Sequence, residues 1–319
     1  MHSYRITIFS ILLTLFALAI PAFAQDPDTI TVETNLVNIG VTVKDRSGNH
    51  VTGLTKDNFE IYDNGKKQEV VLFSDEAAPV SYGFVYDLHP EFSERQKRVL
   101  ESIREFTARL REEDDFFTIV FNKRGSLVLD FVPTVEQVAR HLSLDEKNEP
   151  NSLYDAIFLA AEKAEERPNT KRTLIVISDG KDDDSHHSFS ELSKRLRGLN
   201  VQVFSVLVND ENDLRYSDIT LEKRPRALDT DLTLDRAALE ELSKESGGRA
   251  QETVDRDLVN LVGIYNRISM EMRFQYSVGF YPDESDGKWH KLKVNIDHPI
   301  QGRRLKLTYR KGYQSAPAP

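Results

Sequence analysis

The chain has no cysteine. Thiolate nucleophiles, zinc–thiolate sites, disulfides and a lipid-modified cysteine anchor are therefore excluded. It also lacks an excess of positive charge: 42 Lys and Arg face 52 Asp and Glu over 319 residues, a net charge of −10. There is no basic stripe, and an acidic surface repels phosphate, so a nucleic-acid partner is disfavoured. Neither a Gly-x-Ser-x-Gly elbow nor a glycine-rich phosphate loop is present. No internal repeat is visible. Long hydrophobic runs are missing too, with one exception at the start.

That exception is Ile6–Ile20, which follows a short, positively charged start ending in Arg5. Ala22-Phe23-Ala24 then gives a small-x-small pattern before polar Gln25-Asp26. The run is about 15 residues, short of the roughly 20 that a membrane span needs. Residues 1–24 therefore read as a secretory signal peptide. Its removal takes one arginine and no acid, which leaves a charge of −11 and no membrane span. The mature chain is expected outside the cytoplasm, periplasmic or extracellular.

The whole sequence is 39% hydrophobic, enough for a large core. Residues 25–78 read as β. Val37, Ile39, Val41 and Val43 alternate as a half-buried strand should. Phe59–Tyr62 and Gln68–Phe73, joined through Asp63-Asn64-Gly65, read as a hairpin, because Asn-Gly accepts the positive φ of a tight turn. From Val80 the rhythm changes. Short apolar runs at Val80–Tyr86, Thr173–Ser178 and Val201–Val208 alternate with helical stretches at 93–112, 134–142, 152–166, 189–199, 234–245 and 255–272. Phe116–Phe121 and Ser126–Phe131 read as a second hairpin. This pattern predicts a doubly wound, mostly parallel α/β sheet over 79–272, with one antiparallel edge strand. Residues 209–234 read as a long polar loop. Residues 273–313 return to β, with strands at 274–281, 290–296 and 304–309, and 314–319 read as a disordered tail. Neither β stretch has enough strands to bury its apolar face, so 25–78 and 273–313 are expected to pack as one discontinuous small antiparallel domain.

In doubly wound sheets, ligands bind at the carboxyl ends of the strands. Asp87 and Asp179 each end a predicted parallel strand, and Asn151 and Ser152 open the helix before the second. If the two strands are neighbours, these groups meet at one rim. Oxygen ligands gathered in this way suit a hard cation such as Mg²⁺.

The segments Asp87-Leu-His-Pro-Glu91, Asn151-Ser-Leu-Tyr-Asp-Ala-Ile157 and Leu174-Ile-Val-Ile-Ser-Asp-Gly180 resemble the von Willebrand factor type A domain over about Val80 to Met272. The flanks extend the likeness to exported von Willebrand-related proteins of acidobacteria. That resemblance implies a Rossmann-like fold and a metal-ion-dependent adhesion site of the pattern Asp-x-Ser-x-Ser, Thr, Asp. The first and last acids match Asp87 and Asp179. The serines correspond to His89 and Glu91, and the threonine to Asn151, with Ser152 beside it. Histidine offers a nitrogen that Mg²⁺ does not favour, and a glutamate puts a carboxylate where a partner's should arrive. Three readings stay open. The site has lost its metal, or Glu91 serves as an internal ligand to a divalent cation (Mg²⁺ or Mn²⁺), or the set holds a transition metal. In the plainest version His89-Pro90-Glu91 only begins a helix.

Two further clusters stand out. Lys181-Asp-Asp-Asp-Ser-His-His187 reads as a solvated loop rather than a chelator, because it lacks alternating ligands and a turn glycine. Its adjacent histidines should point apart. Tyr276, Phe280, Tyr281 and Trp289 read as core of a β layer, with a carbohydrate or peptide groove as the alternative. The function expected is a non-enzymatic adhesion-type or protein-binding module. Its partner, a protein or cell-envelope macromolecule, would dock on Asp87, His89, Glu91, Asn151, Asp179 and Asp182. The alternatives are a structural envelope protein with an inert rim, or a metal-dependent hydrolase using Asp87, His89 or Glu91. Amino-terminal sequencing of exported protein is expected to read Gln25 first, and material still carrying Ile6–Ile20 would overturn the leader assignment.

Overall fold

A computed structural model of the chain describes residues 36–75, 77–87, 93–122, 125–132, 134, 137, 152–209, 231–254, 259–297 and 305–317. The leader, the 134–142 helix apart from two residues, and the 210–230 part of the expected loop lie outside the described residues. Among those described, no helix is long and apolar enough to cross a membrane.

The centre is a six-stranded sheet. Its strands are β5 (Val80–Asp87), β6 (Asp115–Asn122), β7 (Gly125–Leu129), β8 (Lys171–Ser178), β9 (Gln202–Asn209) and β10 (Ala250–Val254), in the order β10-β9-β8-β5-β6-β7. All neighbours are parallel except the edge hairpin β6–β7. Buried on both faces, β5 sends Tyr82, Phe84 and Tyr86 to one side and Val85 to the other. Helices α1 (Ser93–Thr107) and α5 (Val259–Arg273) cover the first side with Val99, Ile103, Phe106, Tyr265 and Ile268. Helices α2 (Leu153–Glu165), α3 (Phe189–Gly198) and α4 (Asp231–Ser246) cover the second. Ala156, Ala160, Ala161 and Ala164 let α2 lie close to the sheet. The chain thus has the mixed α/β architecture its pattern predicts, and α4 starts three residues earlier than expected.

Two antiparallel sheets flank this unit. One has the order β13-β1-β11-β4, from Lys306–Thr308, Val37–Lys44, Gln275–Phe280 and Leu72–Ser74. The other has the order β14-β12-β2-β3, from Gly312–Gln314, Trp289–Ile296, Phe59–Asp63 and Lys66–Gln68. Strands from both ends of the chain share each sheet: Val37 pairs with Phe280, and Ile296 with Phe59. Ile39, Val41, Ile61, Tyr276, Val278, Phe280 and Val294 fill the core between them.

The turn after β2 forms as its sequence requires, with Asn64 at φ 47° and Gly65 at φ 87°. The expected second strand, 68–73, does not continue. Its first part stays in one sheet as β3, buried Val70 crosses the core, and Leu72–Ser74 joins the other sheet as β4. An alternating run can serve one sheet only; a crossing residue lets the same stretch serve two. The tail also differs from expectation. Gln314 ends β14, and Ser315 is buried, donating from Oγ to the Glu284 carbonyl at 3.1 Å. Tyr276 and Phe280 are core residues as expected, whereas Tyr281 and Trp289 are exposed, Trp289 beneath the Arg197 guanidinium at 5.3 Å.

The β sheets meet the α/β unit at the amino ends of its parallel strands. Lys171, the first residue of β8, donates from Nζ to the Arg273 carbonyl at 3.2 Å, and Gln275 donates to Gln202 at 3.1 Å. A side chain at Gly40 would collide with Gln275, since its Cβ would lie 2.3 Å from Oε1. Arg310 completes the seam. Its buried guanidinium donates to the carbonyls of Asn38 at 2.7 Å, Leu199 at 2.8 Å and Arg197 at 3.5 Å. Replacing Arg310 with Ala leaves those carbonyls buried without a donor. The expected loss is about 2–4 kcal/mol, read as a lower urea midpoint, with Arg310→Lys intermediate. An unchanged midpoint would show that the seam does not depend on this residue.

Candidate functional site

At the opposite end of the sheet, β5 and β8 are neighbours in parallel register, so the chain leaves both at the same rim. Asp87 is the last residue of β5 and Asp179 the first beyond β8. Ser178 links Asp87 to the turn beyond β8: its Oγ donates to Asp87 Oδ2 at 3.3 Å and accepts from the Gly180 amide at 3.1 Å. Gly180 takes the left-handed turn, φ 96°, that sends the chain away from the sheet. Asp179 is turned to its own loop, with Lys181 N on Oδ1 at 3.0 Å and Lys181 Nζ 3.2 Å from Oδ2.

The loop 181–188 is largely exposed, as expected, but it has a second task. It caps helix α2. Ser152 occupies the cap position, but its hydroxyl makes no capping bond and lies 3.5 Å from the Asp184 carbonyl. The first-turn amides are satisfied from the loop instead: Tyr154 N donates to Asp182 Oδ1 at 3.0 Å, and Asp155 N to Ser185 Oγ at 3.1 Å. Ser185 in turn donates to Asp182 at 2.5 Å. A carboxylate on a helix amino end also meets the positive end of the dipole. Burial pushes the Asp182 carboxyl up, against the pull of these hydrogen bonds.

Asp155 returns the contact. Its two oxygens accept from the backbone amides of His186 and His187, each at 2.9 Å, and from both ring Nδ1 atoms, at 3.0 and 2.7 Å. The two histidines therefore converge, contrary to the expectation that neighbours diverge. One carboxylate offers two oxygens, and the loop bends so that each ring reaches one. The His187 ring also stacks on Phe158, 4.0 Å between centroids and 11° between planes. Burial works against ionisation of Asp155, but the four hydrogen bonds outweigh it and hold its pKa at about 2.

Of the proposed metal set, Asp87, Ser152 and Asp179 are described, while His89, Glu91 and Asn151 lie outside the described residues. All three described members are engaged by protein groups, and a lysine ammonium stands on Asp179, where a cation's ligand should be open. Asp182, taken from sequence as a partner contact, is spent on the helix cap. Asp155 was legible only as part of a motif. Its role needed the loop, some 30 residues on, to be placed beside it.

The family model of the von Willebrand factor type A domain matches residues 133–245. No curated protein matches the chain. Among solved structures, an aerotolerance-related membrane protein of Bacteroides fragilis is 17% identical, with 60% of this chain and 98% of that one covered and a TM-score of 0.38. The pilus adhesin SpaC of Lactobacillus rhamnosus GG is 10% identical, covering 88% and 48%, with a TM-score of 0.41. Proximal thread matrix protein 1 of the mussel byssus, solved with a zinc-occupied MIDAS motif, is 13% identical, covering 66% and 49%, with a TM-score of 0.43. At these identities and scores the likenesses carry no argument about function.

The latch makes a pH prediction. A carboxyl depressed from 3.8 to about 2 contributes stability that is present above its unfolded value and lost as pH falls through the folded one. Asp155→Ala is expected to lower stability at neutral pH by about 1–2 kcal/mol, allowing for solvent screening of a partly exposed group. The difference from the unmodified protein should fade between about pH 4 and pH 2. Thermal melts across that range check it, and a pH-independent difference would reject the latch.

Proposed function

We propose that this chain, which carries a von Willebrand factor type A domain, is an exported, non-enzymatic protein-binding or adhesion-type module with a degenerate metal site. One observation supports it most. Two strand-end carboxylates, Asp87 and Asp179, stand at the carboxyl-end rim of neighbouring parallel strands, while the β sheets join at the other end of that sheet. The loop beside Asp179 is pinned to α2 by Asp155 and Asp182, so that part of the rim is ordered before a partner arrives. Preorganisation of that kind reduces the ordering cost of association.

The partner docks across Asp87, His89, Glu91, Asn151 and Asp179 without needing a cation to complete the surface. Lys181 supplies positive charge beside Asp179. Export brings the rim to a protein or cell-envelope macromolecule. An inert rim would make the chain a structural envelope protein, and pull-down with Asp87→Ala and Asp179→Ala separates that reading from binding. A hydrolase screen with and without divalent metal separates the enzymatic one.

The degenerate site has its own test. Titration calorimetry with Mg²⁺ is expected to give weak or absent binding in the unmodified protein. The double replacement His89→Ser with Glu91→Ser should restore binding, and Mg²⁺ should then raise the melting temperature through preference for the folded state. Tight Mg²⁺ binding by the unmodified protein would show that Glu91 or Asn151 is a working ligand.

A further inference from the structure

Away from the rim, the second flanking sheet buries an ionisable cluster. His290, on β12, is only 3% exposed. Its Nδ1 lies 2.9 and 3.0 Å from the two carboxylate oxygens of Asp63 on β2, itself 6% exposed. Its Nε2 lies 3.1 Å from Asp286 Oδ1, in the turn before β12. Tyr313, on β14, donates its hydroxyl to Asp63 Oδ2 at 2.9 Å and comes within 3.2 Å of the same Nδ1. Lys288 approaches Asp286 at 3.3 Å, and the Lys66–Asp283 pair, at 3.0 Å, lies on the same turn.

Both ring nitrogens face carboxylate oxygens, which only accept hydrogen bonds. Both contacts are satisfied at once only when each nitrogen carries a proton. We propose that His290 is a proton-controlled latch that ties the 282–288 turn and the C-terminal strand to the β sheets and loosens them when its imidazolium is neutralised. A neutral ring keeps one N–H. The Asp63 side holds it more strongly, because that contact is bidentate, buried and backed by Tyr313. Nε2 then turns a lone pair toward Asp286, and the two repel. Asp286 belongs to an exposed turn, whereas Asp63 is fixed in a strand.

The turn carries the tail with it. Gly287 N donates to the Ala316 carbonyl at 3.1 Å, Ser315 N to the Lys288 carbonyl at 2.8 Å, and the Gln314 side chain to the Gly287 carbonyl. These bonds are the means by which a proton at His290 governs the order of residues 312–317. Burial alone would lower the His290 pKa; the hydrogen bonds to Asp63 and Asp286 outweigh it and raise it above the ordinary 6.5. The latch is therefore fully closed below the unfolded value and opens as pH rises through the folded one.

The test uses the full chain. Ring ¹⁵N–¹H correlation spectra follow His290 from neutral to alkaline pH, with His290→Gln to assign it. Hydrogen exchange, corrected for its intrinsic pH dependence, follows peptides covering 282–288 and 312–317. The expected result is a doubly protonated ring at neutral pH and a loss of protection that shares its midpoint. Asp286→Asn, whose amide can accept from a protonated Nε2 and donate to a neutral one, should lower that midpoint by about one pH unit and abolish the exchange step, and Lys288→Glu should raise the midpoint with the exchange step moving alongside. A ring already neutral at neutral pH would overturn the latch. So would an exchange step that stays in place when Lys288→Glu shifts the titration, or one that persists in Asp286→Asn.

Discussion

The join between the β sheets and the α/β unit is built around a buried guanidinium. Arg310 reaches β1 through the Asn38 carbonyl and the end of α3 through the carbonyls of Arg197 and Leu199. No carboxylate is among these partners; the charge is satisfied by backbone dipoles that would otherwise be buried without donors. The contact ties three stretches far apart in sequence: the first described strand, the connection between α3 and β9, and the last β segment. The β sheets are thereby held at the amino ends of the parallel strands, and the carboxyl-end rim stands at the other end of that sheet.

The same economy recurs at the rim. Acidic residues of the 181–188 loop and of helix α2 are used to hold backbone. Asp182 and Ser185 satisfy the open amides of α2, and Asp155 satisfies amides and rings of the loop that supplies them. Each side completes the other's hydrogen bonds, so neither the helix end nor the loop is settled alone. A reciprocal cap of this kind holds the described part of the rim in one arrangement. The His290 cluster uses buried acids differently. There a proton completes the set, and the arrangement carries a dependence on pH that the Asp155 latch shows only in acid.

Some of this was legible in the residues. The helix and strand periods, the Asn64-Gly65 turn, the edge hairpin and the two strand-end aspartates follow from patterns that operate over a few residues. The misreadings share a cause. The 68–73 run splits because Val70 is needed in the core between two sheets, and alternation alone cannot say which sheet a residue serves. His186 and His187 converge because a carboxylate from another helix lies between them, which no local rule for adjacent side chains includes. Ser315 is held by a turn that precedes it by some 30 residues, so a short polar terminus was taken for a loose one.

By itself, the sequence determined the absence of thiol chemistry, the acidic surface, the alternation of strand and helix, and the residue types available at each strand end. These depend on composition and on periods of two and 3.6 residues, which are properties of the local backbone. Tertiary structure decided which strands are neighbours, and so that Asp87 and Asp179 share a rim. It decided that Asp182 faces a helix end instead of solvent, and that His290 lies between two carboxylates. Those outcomes rest on contacts between residues tens to hundreds of positions apart. Such contacts form only once the cores have fixed where each strand lies, so nothing local in the chain encodes them.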